Sequence, residues 1–262
     1  MTYARRPALA SAAAVRLVPP ALAKLLTQLY LNVPERLQPS NSPPVSTKPP
    51  NRRISAVAKA AKIKGRLMSI SLAKGQSVDL RKQSTSLSRV QMGLGWDAAK
   101  AGGGFLKSLF GGAPEGIDLD ASCIVFGAGK QPVDLVWFRN LSSKDGAIQH
   151  SGDNLTGEGE GDDETISVDL AALPAEVVSL VFTVNSFRGQ TFNEVENAFC
   201  RLVDAASGKE LVRFNLAEKG AHSGVVMAVL SRSADSWIMK AVGTPANGQT
   251  AQQLLPFAAA AI

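Results

Sequence analysis

From Ile70 onward, apolar residues recur at every second position. Val90, Met92, Leu94 and Trp96 alternate with polar residues or glycine, as do Ile166, Val168 and Leu170, then Val178, Leu180, Phe182 and Val184, and finally Trp237, Met239 and Ala241. A period of two puts alternate side chains on one face of an extended strand. The turn-forming stretches "GAGKQP", "SSKDG", "LPAE", "ASGKE" and "AEKGAHSG" stand between the runs. "DAASGKELVRFNL" reads as a hairpin, with Ser207 and Gly208 near its turn and Leu211, Val212 and Phe214 in the returning strand. One short helix is expected at "TFNEVENAF": Thr191 can cap it, Glu194 follows three residues on, and Val195 and Phe199 would share a face. Short strands with no sustained helical period predict an all-β fold, an antiparallel two-sheet β-sandwich with one or two short helices.

The alternation is absent before residue 67. Residues 1–66 are rich in Ala and Pro and carry twelve Lys or Arg against one acid, Glu35, whereas residues 67–262 carry sixteen against twenty-one. The basic pI near 9.4 therefore belongs to the leader, and the domain itself is acidic. Three domains are expected: a leader over 1–66, disordered or a non-native extension; the sandwich over 67–245; and a C-terminal tail over 246–262. "PSNSPPVSTKPPN" reads as a linker. The leader fits a bacterial signal peptide poorly, because Arg16 interrupts its apolar run. Its composition suits a mitochondrial-type transit peptide, an extension upstream of a true start at Met68, or a basic arm for anionic surfaces. No apolar stretch approaches the ~18 residues of a membrane span, which predicts a cytoplasmic protein.

The usual catalytic patterns are poorly met. "GLGWDA" has the spacing of a dinucleotide-binding turn, but "AAKAGGG" follows it in place of a helix. "GAGKQ" has Gln where a phosphate-binding loop needs Ser or Thr. There is no G-x-S-x-G motif, and His150 and His222 are the only histidines. Cys123 and Cys200 read as small core residues, with a cross-strand disulfide as the alternative.

Carboxylates are the remaining chemistry. "GDNLTGEGEGDDE" holds six within thirteen positions, and in "IDLDAS" Asp118 and Asp120 share one face of a strand. Like charges that close need solvation or a cation. Glycines that allow positive φ let such a loop wrap oxygens around a hard ion, and a site of about six to eight oxygens suits calcium before magnesium. A solvated acidic loop is the alternative. The stretch is not an EF-hand, because Leu155 and Glu158 occupy positions that need an oxygen ligand and a glycine.

"SISLAKGQSVDL", "VQMGLGWDA", "IDLDAS", "HSGDNLTGEGEGDDETISVDL", "GQTFNEVENAFCRLVD" and "ELVRFNL", in this order, resemble the TerD family of tellurium-resistance and stress proteins over residues 68–243. The insert "GGGFLKSLFGG" is similar to that of TerZ-type members. The resemblance implies a β-sandwich binding calcium, two ions in neighbouring sites, without enzymatic turnover. It implies assemblies with other family members and an integral membrane partner at the inner membrane face, and no specific nucleic acid. Carried over by motif, the metal ligands would be Asp118, Asp120, Asp153, Asn154, Thr156, Glu158, Glu160, Asp162, Asp163 and Glu164, with Asp97 an outer candidate. The alternatives are a metal-dependent hydrolase using His150 or Arg188, and a sandwich binding a cyclic-nucleotide-like ligand.

Overall fold

A computed structural model describes residues 69–84, 86–98, 117–154 and 161–262. The leader, the insert "GGGFLKSLFGG" and the ligand candidates Thr156, Glu158 and Glu160 lie outside the described residues. In chain order the strands are β1 (Ile70–Ser71), β2 (Ser77–Asp79), β3 (Arg89–Ala98), β4 (Leu119–Phe126), β5 (Pro132–Val136), β6 (Ile148–His150), β7 (Glu164–Asp169), β8 (Ser179–Ser186), β9 (Val195–Asp204), β10 (Lys209–Asn215), β11 (Gly224–Ser233) and β12 (Ser236–Ala246). Helix α1 (Ala251–Ala261) follows. They form two six-stranded sheets, ordered β1-β10-β9-β3-β7-β6 and β2-β12-β11-β8-β4-β5. Every pairing is antiparallel except the parallel contact of β1 with β10.

The period-two residues face one another across the sandwich. Val90, Met92, Leu94 and Trp96 of the first sheet join Leu180, Phe182, Met227 and Met239 of the second in one buried cluster. The second sheet is apolar on its other face as well. There Ile124, Phe126, Val181 and Val229 pack beneath Ala251, Leu255 and Ala258. Spacings of three and four put those helix residues on one stripe, so the segment expected as a tail covers the outer face of the sheet with a helix. Lys130 Nζ donates to the carbonyls of Ala259 (3.1 Å) and Ile262 (2.7 Å), where the helix dipole favours a cation.

At "TFNEVENAF" the capping box forms as the residues suggest, between Thr191 and Glu194, but it opens a single 3-10 turn over Phe192–Glu194. Val195 and Phe199 then lie in β9. Pairing with β3, where Val195 meets Ala98, takes over from the local helical preference. The "DAASGKELVRFNL" hairpin forms with Lys209 opposite Asp204. Cys123 and Cys200 are free and fully buried, so the disulfide alternative does not hold. Among the described residues no helix is long and apolar enough to cross a membrane.

Candidate metal centre

The site forms where one strand outruns its neighbour. β5 pairs with β4 only from Cys123 onward, opposite Val136, so among the described residues Ala121 has no ladder partner on that edge. Buried backbone groups need partners, and side chains from the other sheet supply them. Glu164, at the start of β7, accepts from the Ala121 N–H at 2.6 Å, and His150 Nε2 lies 3.1 Å from the Ala121 carbonyl. The Gly152 N–H donates to His150 Nδ1 at 3.0 Å, so the ring hydrogen sits on Nε2, which also approaches Glu164 at 3.3 Å. Both ring nitrogens are thereby engaged in holding the two sheets together.

This seam places a carboxylate cluster on the end of β4. Oxygens of Asp118, Asp120 and Asp153 all lie within 4.8 Å of one another. Asp118 and Asp120 are buried, while Asp153 stands at the exposed rim. Asp118 Oδ2 accepts from Arg188 Nε (3.1 Å) and Asp120 Oδ2 from Asn185 Nδ2 (3.1 Å). Asp118 Oδ1 and Asn185 Oδ1 are buried without a hydrogen-bond partner among the described residues. Glu164 also accepts from the Asn154 N–H at 3.1 Å, which ties the segment carrying Asp153 to the same seam.

Lost hydration pushes the Asp120 carboxyl up to about 8, reinforced by the charges of Glu164, Asp118 and Asp153. Asp118 and Asp153 are raised as well, again first by desolvation, with Arg188 and His150 respectively acting against the shift. Hard oxygen donors that converge, repel one another and keep a buried oxygen free match what a divalent cation requires.

The remaining candidates sit apart from this cluster. Asp163 accepts from the Trp96 N–H through Oδ2 (2.8 Å), and Asn154 Nδ2 lies 3.4 Å from its Oδ1. Asp162 forms a two-pronged pair with Arg201, at 2.7 and 3.0 Å. Asp97 is exposed and accepts from Asn197 Nδ2 at 2.7 Å. Sequence reasoning missed Asn185 and gave His150 and Arg188 other roles. Asn185 is opposite Asp120 only through the β4–β8 register, which no local pattern announces. The burial of Glu164 had a visible signal, because it is in phase with Ile166 and Val168 on β7.

Residues 68–255 match the TerD domain family. Over 181 residues the chain is 53% identical to the tellurium resistance protein TerZ of Serratia marcescens, covering 69% of this chain and 92% of that protein. It is 41% identical over 195 residues to the stress response protein SCP2 of Bacillus subtilis (strain 168), covering 72% and 98%. A crystal structure of a telluride resistance protein (TerD) homologue from Streptomyces coelicolor A3(2) covers 62% of this chain and 92% of its own, with a TM-score of 0.50 at 22% identity, a likeness of fold alone. The family match runs through both sheets and includes Asp118, Asp120, Asp153 and Glu164, and on it this chain belongs to the TerD family, whose relatives here are named as tellurium-resistance and stress-response proteins.

Proposed function

We propose that this chain is a calcium-binding, non-enzymatic member of its stress-response family, acting as a calcium-dependent interaction module. The observation that carries the reading is the convergence of Asp118, Asp120 and Asp153 around a buried, unpartnered oxygen. These three residues would hold the ion, with Glu164 forming the inner wall and Asn185 and Arg188 orienting the aspartates. A bound calcium ion would supply the positive charge that three desolvated carboxylates lack. A second ion would draw on Asp163, Asn154, Glu158 and Glu160. The engagement of both His150 nitrogens favours this reading over a hydrolase, since neither is free to accept a proton from water.

An apolar surface beside the cluster favours a binding role. Phe187, the neighbour of Arg188, is 42% exposed, and Leu141, whose carbonyl accepts from the His150 N–H, is 46% exposed. Phe138 meets Phe187 edge-on at 5.8 Å, and the Arg139 guanidinium lies 5.2–5.7 Å from the rings of Trp137, Phe138 and Phe187. Arg139 makes no ion pair among the described residues. Aromatic and arginine anchors of this kind dominate protein interfaces. In this reading the cation fixes the segment around Asp153 against the aromatic surface. The partners would be other TerD-family proteins and an integral membrane protein, met in the cytoplasm at the membrane face.

Titration calorimetry tests the site directly. Calcium is expected to bind the wild type much more tightly than magnesium does, and Asp120→Asn with Asp153→Asn to remove that binding. Equal affinities for the two ions, or retained binding by the double variant, would overturn the assignment. For the partner surface, Arg139→Glu is expected to abolish calcium-dependent co-purification with a second TerD-family protein while leaving calcium affinity unchanged.

A further inference from the structure

We propose that Asp162 is not an ion ligand but the anchor of the acidic segment, and that Arg201, which clasps it in the space left by Gly93, is a positioning residue for the calcium site. The inference rests on the calcium reading and assigns parts to residues outside the cluster.

Both Asp162 oxygens are already committed. Arg201 Nε donates to Oδ1 at 2.7 Å and Nη2 to Oδ2 at 3.0 Å, the fork geometry in which guanidinium and carboxylate bind most strongly. The pair is also largely withdrawn from water, with side chains 15% and 30% exposed, so taking Asp162 away would leave Arg201 poorly compensated. Arg201 is itself braced from behind. Its Nη1 reaches Glu210 at 3.3 Å, and Glu210 is held by Arg213 and by the Ser69 hydroxyl.

The backbone has made room for this clasp. Gly93 lies directly opposite Arg201 across the β3–β9 ladder, and a methyl group at Gly93 would overlap the Asp162 carboxylate. The glycines of "GLGW", which resemble a nucleotide-binding turn in sequence, thus have another role. Gly93 receives Asp162, and Gly95 receives the Phe199 ring.

The consequence for the metal site follows along the chain. One residue beyond Asp162, the Asp163 N–H donates to the Leu94 carbonyl at 2.9 Å, and its carboxylate takes the Trp96 N–H. One residue further, Glu164 reaches across to Ala121 and Asn154. The clasp therefore fixes where residues 162–164 enter β7, and with them the wall against which Asp153 meets Asp118 and Asp120.

Calcium calorimetry on the full chain, with wild type, Asp162→Asn, Arg201→Gln, Arg201→Lys and the Asp162→Asn/Arg201→Gln double variant, tests the assignment. The two single substitutions are expected to weaken calcium binding by similar factors, about tenfold, the scale of lost outer-shell support. The double variant is expected to be no weaker than either alone. Arg201→Lys, which keeps the charge and loses the fork, should behave like Arg201→Gln. Affinities are compared well below the melting temperatures of the metal-free variants, so that a loss of fold alone does not enter. Tighter binding by Arg201→Gln would show that the arginine competes with the ion for a ligand, and would overturn the proposal. So would a loss in Asp162→Asn much larger than in Arg201→Gln. Calcium binding that is unchanged in Arg201→Gln removes the clasp alone, whereas no calcium binding by the wild type removes the calcium reading and the role of Arg201 within it.

Discussion

Asp120 carries the strongest electrostatic consequence of the site at the scale of single residues. With its carboxyl pushed up to about 8, the folded chain retains a proton that the unfolded chain has released above its ordinary value of 3.8. The stability linked to this group is fully present below about pH 4 and is lost as pH rises through 8, because the folded state binds more protons across that window. Asp118 and Asp153 are shifted in the same direction. Metal-free protein is therefore expected to melt at a higher temperature at pH 5 than at pH 8, and Asp120→Asn to reduce that difference. Thermal melts in a chelator at the two pH values check this, and a wild type more stable at pH 8 would contradict it. The cysteines lead to a second expectation. Burial raises both thiols, Cys200 to about 12, so neither offers a thiolate at neutral pH. A chromogenic disulfide reagent should label two thiols in denaturant and none in the native protein, which argues against direct thiol reduction of tellurite by this chain. The pairing of Asp118 with Asp120 was legible in "IDLDAS", because adjacent carboxylates of one strand face are a local fact. The diversion of Asp162 to Arg201 was not, because 39 residues separate the partners and only the β3–β9 register brings them together.

Helix α1 sets the energetic question for whole elements. Its buried stripe of Ala251, Leu254, Leu255 and Ala258 covers the outer face of the second sheet, and Lys130 holds its C-terminal carbonyls. Leu255→Ala removes a fully packed side chain, at a cost of about 2–5 kcal/mol. For a domain of this size that corresponds to a fall in melting temperature of roughly 5–15 °C, readable by calorimetry. The helix also touches the candidate site through its approach, since Asn185 Nδ2 donates both to Asp120 and to the Gln249 carbonyl at 2.9 Å. The strands were visible in the sequence wherever one face alone is buried, as in β3 and β7. β8 was visible too, through Leu180, Phe182 and Val184, but β4 and β8 are buried on both faces, and their second apolar face needs a cover that period two does not announce. That cover is α1, and its short apolar run "LLPFAAAAI" contains a proline that argues locally against a helix.

For the molecule as a whole, the cation and the fold are expected to stabilise one another. A ligand at about a hundredfold excess over its Kd adds about 2.7 kcal/mol to the folded state, so saturating calcium should raise the melting temperature by roughly 5–10 °C and magnesium by much less. Equal shifts for the two ions would count against a site shaped for calcium. The sandwich has one more property at this scale. Among the described residues each sheet ends on both sides in a short strand: β1 and β6, of two and three residues, bound the first, and β2 and β5, of three and five, bound the second. The long strands all lie inside, while an exposed long edge is a template for fibril growth. β1 covers part of the seven-residue β10 with only Ile70 and Ser71. Those two residues thus guard against aggregation out of proportion to their length, and a chain cut back past Ser71 would present a bare, extended edge on which further copies could add.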